Sequence, residues 1–225
     1  MKTKLLPFLL VFIFSASFIK AQDTERPKIS FAVLGGVNFQ NLNGKNYSGD
    51  KLENDMILGY HAGVNVQIAI APDFYFQPGL LFSTKGAKNS TGLITSTYKL
   101  SYIELPLNLV YKAALGNGYF MLGFGPYVGY GIMGNAKSEG GSLSYDSKIE
   151  FKNVVELTDP LTVAYFKALD AGGNIFAGYE MQSGLFFQLN TQLGMIKINP
   201  EDKRIPGDKS VVKNTGFGVS LGYHF

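Results

Sequence analysis

The sequence has no cysteine and no tryptophan, and only two histidines among its 225 residues, His61 and His224. Without cysteine there can be no disulfide, no thiolate metal site, no cysteine nucleophile and no cysteine-borne lipid anchor. Two histidines this far apart make a poor metal site, and neither has a serine and an acid beside it in sequence, so the residues point to no catalytic or metal centre. Neither Gly35-Gly36 nor Gly172-Gly173 leads into a helical pattern, which excludes a phosphate loop, and no cofactor is expected. Charged residues are scarce, at 16%. Beyond the amino-terminal segment no window holds the ~18 consecutive apolar residues of a membrane-spanning helix.

What the chain has is glycine and aromatics, 27 Gly with 18 Phe and 13 Tyr, in an all-β composition. The pattern is clearest in the last ten residues, GFGVSLGYHF. Phe217, Val219, Leu221, Tyr223 and Phe225 fall on one face of an extended strand; Gly216, Gly218, Ser220, Gly222 and His224 fall on the other. One face is bulky and apolar, the other small or weakly polar.

Residues 1–21 read as a secretory signal peptide. Lys2 and Lys4 precede the apolar run Leu5–Phe14, and Ile19-Lys20-Ala21 fits a small-residue cleavage site before Gln22. Removing Lys2, Lys4 and Lys20 takes the formal net charge from +3 to 0 over residues 22–225, so no electrostatic case for nucleic acid remains. Residues 22–225 then form one β-barrel domain.

Period-2 alternation predicts eight strands: Lys28–Leu42, Met56–Ile70, Phe74–Lys88, Thr97–Ala113, Tyr119–Asn135, Ala168–Met181, Leu185–Ile198 and Gly216–Phe225. The connections alternate in length. Those after the second, fourth and sixth strands are tight, at Ala71-Pro72-Asp73, Gly116-Asn117-Gly118 and Gln182-Ser183-Gly184. Those after the first, third, fifth and seventh are longer, the longest being Ala136–Lys167. This asymmetry predicts an eight-stranded antiparallel up-and-down transmembrane β-barrel with short periplasmic turns and longer extracellular loops. A strand in Ser142–Phe151 would leave open a ten-stranded ring.

The apolar face should meet lipid. A soluble lipid-binding barrel would put the other face in water, yet that face carries few charges and many glycines, which suits a crowded lumen. Aromatics on the apolar face gather near the strand ends, as two headgroup-level girdles require. In hydrocarbon every backbone polar group needs an internal partner, so the last strand should close on the first. Pro78, Pro106 and Pro126 sit at similar height on adjacent strands and cannot donate to a ladder, which predicts a bulged or locally unpaired band.

The segment SYIELPLNLVYK, Ser101–Lys112, resembles the PorT-like outer-membrane β-barrel family of Bacteroidota, often labelled "porin family". Its motif is matched by Tyr102-Ile103-Glu104-Leu105-Pro106, and Phe76–Leu80 and Gly123–Tyr127 look similar to other family segments. The resemblance implies export to the cell outer membrane, contact with outer-membrane lipid and with the barrel-assembly machinery during insertion, and a monomer. It also implies that the final strand, through Phe217, Val219, Leu221, Tyr223 and Phe225, is the signal read in assembly. Family members are mostly uncharacterised and some are tied to type 9 secretion. The expected function is non-enzymatic, with a largely filled lumen and a role in adhesion, envelope integrity or secretion carried by the outer loops; a small-solute channel is the alternative.

Four charges are placed on the inward face: Lys85, Glu104, Lys112 and Glu180. A carboxylate in a narrow lumen is costly unless paired, and Lys85 or Lys112 could pair with Glu104. An interior salt bridge that sets register and a proton or ligand site both fit Glu104.

Overall fold

The computed structural model describes residues 29–225; the signal peptide assigned to residues 1–21 and the Lys28 start of the first strand lie outside it. The described residues form β1 (Ile29–Lys45), β2 (Ile57–Ala71), β3 (Phe74–Thr91), β4 (Ile94–Leu115), β5 (Gly118–Gly140), β6 (Leu143–Lys148), β7 (Glu150–Phe151), β8 (Val154–Val155), β9 (Tyr165–Phe166), β10 (Leu169–Met181), β11 (Leu185–Gly194), β12 (Glu201–Asp202) and β13 (Val211–His224).

Eight of these strands close a ring in the order β1-β2-β3-β4-β5-β10-β11-β13, every neighbour antiparallel. The seam between the first and last strands is long, running in one register from Ala32 opposite His224 to Lys45 opposite Val211. Closure removes both sheet edges, which a strand assembly in hydrocarbon requires. The ring stays at eight because β6 pairs only with β5 and never re-enters it.

The loop end differs from the sequence reading. Asn89–Ser96, expected as a loop, is a tight hairpin in which β3 and β4 turn over Gly92-Leu93. β5 runs five residues past Asn135 and turns at Gly141-Ser142 into β6. Apolar alternation does not mark strands at such heights, because above the bilayer neither face has to be apolar and the period fades. At the same end, the strand expected over Leu185–Ile198 stops at Gly194, and the one expected from Gly216 begins at Val211.

The side chains are sorted inside out relative to a soluble protein. Phe31, Val33, Tyr60, Val64, Leu80, Phe124, Tyr130, Leu189, Phe217 and Leu221 are exposed, whereas Asn38, Gln67, Lys85, Glu104, Asp170, Asn214 and Ser220 are buried. A soluble lipid-binding barrel is thereby overturned, because it would wet the glycine and amide face. Outward aromatics pair with one another in two belts. Phe74 meets Tyr111 at 5.1 Å and Tyr223 meets Phe225 at 5.1 Å near the turns; Phe39 meets Phe217 at 5.1 Å and Tyr60 meets Phe82 at 5.9 Å nearer the loops. The glycines serve the lumen: at Gly123 and Gly222 a Cβ would fall on the rings of Phe176 and Phe186.

The three prolines interrupt the ladder without changing register. Pairing lapses at Val66-Gln67 opposite Gln77-Pro78, at Gly79-Leu80 opposite Leu105-Pro106, and at Leu107-Asn108 opposite Gly125-Pro126, and resumes in the same register each time. On its other side, toward β10, Pro126 keeps its place opposite Gly173. The one-residue bulges lie elsewhere, at Ile70 and at Ile132.

Leu189 projects outward midway along β11, between Leu185 and Leu193. Leu189→Arg is expected to destabilise the folded barrel by about 2–4 kcal/mol, the cost of a guanidinium on the lipid face at mid-depth. Unfolding titrations in phospholipid vesicles check this, and a loss well under 1 kcal/mol would contradict a lipid-facing Leu189.

Candidate functional site

The lumen is filled in layers. At the turn end Ala32, Val110, Met121, Phe176 and Phe186 form an apolar plug, with Leu34 and Tyr75 against it. Beside it Lys112 Nζ lies 2.6 Å from Glu180 Oε2, and His224 Nδ1 lies 3.0 Å from the same oxygen. Lys112 therefore serves Glu180 on β10 and not Glu104, its neighbour on β4.

Mid-barrel, a small cavity of about 80 Å³ is lined mainly by amides and hydroxyls, among them Asn38, Asn65, Gln77, Asn108, Gln192 and Ser220. His61 crosses it, with Nδ1 at 2.5 Å from Asn38 Oδ1 and Nε2 at 2.7 Å from Ser220 Oγ. Serine, histidine and asparagine thus come together although 159 residues separate His61 from Ser220. The group resembles a nucleophile triad only in composition. Ser220 is wholly buried inside the barrel, its hydroxyl also accepts a hydrogen bond from Asn190 Nδ2 at 2.9 Å, and the third member is a neutral amide where such a triad has a carboxylate. The network ties β1, β2, β11 and β13 together across the seam.

Above this lies the charged layer. Lys85 Nζ is 2.7 Å from Glu104 Oε1 and 3.0 Å from Asp170 Oδ2, and all three side chains are buried. The rings of Tyr127 and Tyr102 lie 4.4 and 5.3 Å from the ammonium. Tyr127 Oη and Asn214 Nδ2 donate to Asp170 Oδ2 at 3.1 and 2.9 Å, and Gln192 Nε2 donates to Glu104 Oε2 at 3.0 Å. Such a cluster is tolerable in a low-dielectric lumen because each carboxylate has the ammonium and a neutral donor. Asp170 was absent from the four charges placed inside by sequence. Its inward parity with Gly172 and Asn174 on β10 was the available signal. Tyr102 and Glu104 of the YIELP motif both face this layer, and Pro106 lies in the interrupted band beneath it.

Leu42, Ala87, Leu100, Tyr102, Ala136, Ile149, Phe166 and Ile198 cap the lumen with an apolar cluster. Phe166 and Ile198 come from the outer connections, which fold back over the mouth. Lys167 donates to the Ile198 carbonyl, Ile198 to that of Val212, Glu201 to that of Asn153 and Lys209 to that of Tyr47. Parallel pairs β7–β9 and β8–β12 stitch the same segments.

Over this cap opens a cleft of about 880 Å³. Leu42, Leu52, Tyr98, Phe166, Pro200 and Val212 supply apolar surface, and Asp50, Lys51, Glu53, Asp202 and Arg204 lie among its polar groups. Its walls are braced by ion pairs. Arg204 grips Asp202 through Nε and Nη2 at 2.9 and 2.7 Å and lies over the Tyr165 ring at 5.3 Å. Lys152 Nζ sits 2.6 Å from Asp159 Oδ1. Arg204 holds the Asp202 carboxyl below the ordinary carboxylate range, and Lys152, with the Glu156 amide, does the same for Asp159.

The final strand turns the side chains expected to act in assembly outward. Phe217, Leu221, Tyr223 and Phe225 are exposed and Val219 is half-buried, while the Phe225 amide donates to the Phe31 carbonyl at 2.8 Å.

The model of the family described as "Outer membrane protein beta-barrel domain" matches residues 20–199, or 180 of the 225 residues. No curated protein matches the chain. Among solved structures it is similar to Ail, the attachment invasion locus protein of Yersinia pestis, crystallised with the heparin analogue sucrose octasulfate, at 14% identity over 89% of this chain and 100% of that one (TM-score 0.39). Neisserial surface protein A is similar at 10% identity over 88% and 99% (TM-score 0.45), and OprG of Pseudomonas aeruginosa at 13% over 89% and 97% (TM-score 0.39). The chain belongs to the outer membrane protein beta-barrel domain family, and it resides in the cell outer membrane as an eight-stranded barrel.

Proposed function

We propose that the protein is a non-conducting, non-enzymatic barrel that anchors a binding cleft at the cell surface. The observation that carries this reading is the stacking of a sealed lumen beneath an open cleft. An apolar plug, the Lys85–Glu104–Asp170 layer and an apolar cap occupy the axis, and the cleft of about 880 Å³ opens over the cap. That volume is within the range of sites that engulf a small ligand or a short peptide segment. The YIELP motif at Tyr102–Pro106 supports placing the protein among the PorT-like barrels of Bacteroidota, and adhesion, envelope maintenance and secretion support are roles that a surface cleft can serve.

An eight-stranded barrel encloses room for little more than its own side chains, which argues against the channel reading. Single-channel recordings in planar bilayers are expected to show no steps above the bare-membrane baseline. Reproducible unitary conductance from the purified protein would reverse the proposal in favour of the small-solute channel.

A further inference from the structure

The outward face of the ring is charged differently at its two ends. Near the periplasmic turns Lys112 is the one lysine among the described residues, and it is buried in the lumen. At the loop end Lys45, Lys88, Lys99 and Lys213 all lie on the outward face. Strand parity places them there: Lys45 shares its face of β1 with Phe39, and Lys213 shares its face of β13 with Phe217. Leu42 and Asn214, of the other parity, are buried.

Lys45 and Lys213 meet across the closing seam. Lys213 is paired with Asn43 and Lys45 with Val211, so the two lysines are diagonal neighbours whose long side chains can converge. Among the described residues neither ammonium has an ion-pair partner in the chain. On its other side Lys45 bridges to Lys51, which adds a third cation and no acid. Neighbouring like charges repel unless an anion lies between them. Height indicates the source of that anion. At the usual strand rise and tilt Lys213 and Lys45 stand roughly 10 and 15 Å above the Phe39–Phe217 pair, and a lysine chain can lie back along the wall toward the headgroups. The outward residues in between, Asn41, Asn43 and Thr215, are polar and uncharged.

We propose that Lys45 and Lys213 hold a phosphate monoester on the headgroup of a glycolipid in the outer leaflet. A phosphate monoester carries close to two negative charges at neutral pH and so matches two ammonium groups, whereas a phosphodiester carries one. Asn43, exposed and opposite Lys213, offers an amide donor to the same group. The site fastens the β1–β13 seam to the membrane beneath the loops. A second lysine pair supplies the comparison. Lys99 is paired with Gly86 and Lys88 with Thr97, the same diagonal on β3 and β4, but Asp55 stands opposite Lys88, so a carboxylate already neighbours that pair.

The test titrates the purified protein, refolded in a non-ionic detergent, with lipid A bearing phosphate monoesters, with the same lipid A after phosphatase treatment, and with phosphatidylglycerol. Bound lipid is counted by native mass spectrometry, and folding of each variant is checked by its heat-shifted gel mobility. The phosphorylated lipid is expected to bind about tenfold more tightly than either of the others. Equimolar inorganic phosphate should not compete, because acyl chains hold only the lipid against the wall. Lys45→Gln with Lys213→Gln should weaken binding of the phosphorylated lipid about tenfold, and Lys88→Gln with Lys99→Gln, which removes the same charge at similar height, less than about threefold. Equal affinity for the phosphatase-treated lipid or for phosphatidylglycerol, displacement by inorganic phosphate, or equal losses in the two double variants would each overturn the proposal.

Discussion

Lys85→Met is expected to cost the barrel about 3–5 kcal/mol of stability, the range for removing one partner from a buried ionic cluster. The reason is the count of charges around it. One ammonium meets two carboxylates, Glu104 at 2.7 Å and Asp170 at 3.0 Å, and no second cation is within salt-bridge reach of either among the described residues. Methionine fills a similar volume but leaves both carboxylates in a water-poor lumen. Glu104→Gln is the informative contrast. It keeps the shape, leaves Lys85 against Asp170, and sacrifices one charge-assisted bond, so a loss of about 1.5–3 kcal/mol is expected. Urea titrations of the refolded protein, read by heat-modifiable mobility, measure both. Equal losses for the two variants would show that Asp170 does not share the ammonium, and a neutral Lys85→Met would remove the ionic layer from the account of how the lumen is held.

The second large effect concerns assembly. A chain lacking Phe225 is expected to lose most of its surface-exposed protein to periplasmic aggregation or degradation. The native contacts of Phe225 are few: its ring is exposed, meets Tyr223 edge-on at 5.1 Å, and its amide bonds to Phe31. Folded-state stability therefore gives little reason for a large defect, and recognition of the outward row Phe217 to Phe225 during insertion gives a strong one. Phe225→Ala separates the two, since it keeps the backbone bond. Its purified form refolded in detergent should unfold within about 1 kcal/mol of the parent, as expected of a surface substitution, while its yield in the outer membrane falls. Normal surface insertion of the truncated chain would contradict an assembly role for the terminal ring.

These expectations draw on the sequence and on the tertiary structure in different proportion. Outward and inward faces were legible from β1 to β13, because a strand in lipid must alternate and Val33, Val64 and Leu221 do so beside Gly63, Asn65 and Ser220. Proline chemistry located the unpaired band before any register was known, since Pro78, Pro106 and Pro126 lack the donor wherever they stand. The partners of the interior charges were not legible. Lys85 and Glu104 share the inward face of neighbouring strands, four positions apart in register, but Asp170 reaches Lys85 from another strand, 85 residues away in sequence. Likewise Ser220, Asn38 and His61 become neighbours only through ring closure.

By itself, then, the sequence determined a closed wall of eight or ten strands with its bulky side chains toward lipid, because backbone groups in hydrocarbon must pair and a period of two leaves only one way to sort the faces; the tertiary structure fixed the number at eight. Only the tertiary structure decided what fills the wall and what crowns it. Contacts across a lumen join residues with no local periodic relation. Above the bilayer, where water can satisfy either face, the β5–β6 extension and the folded connections are set by packing against one another.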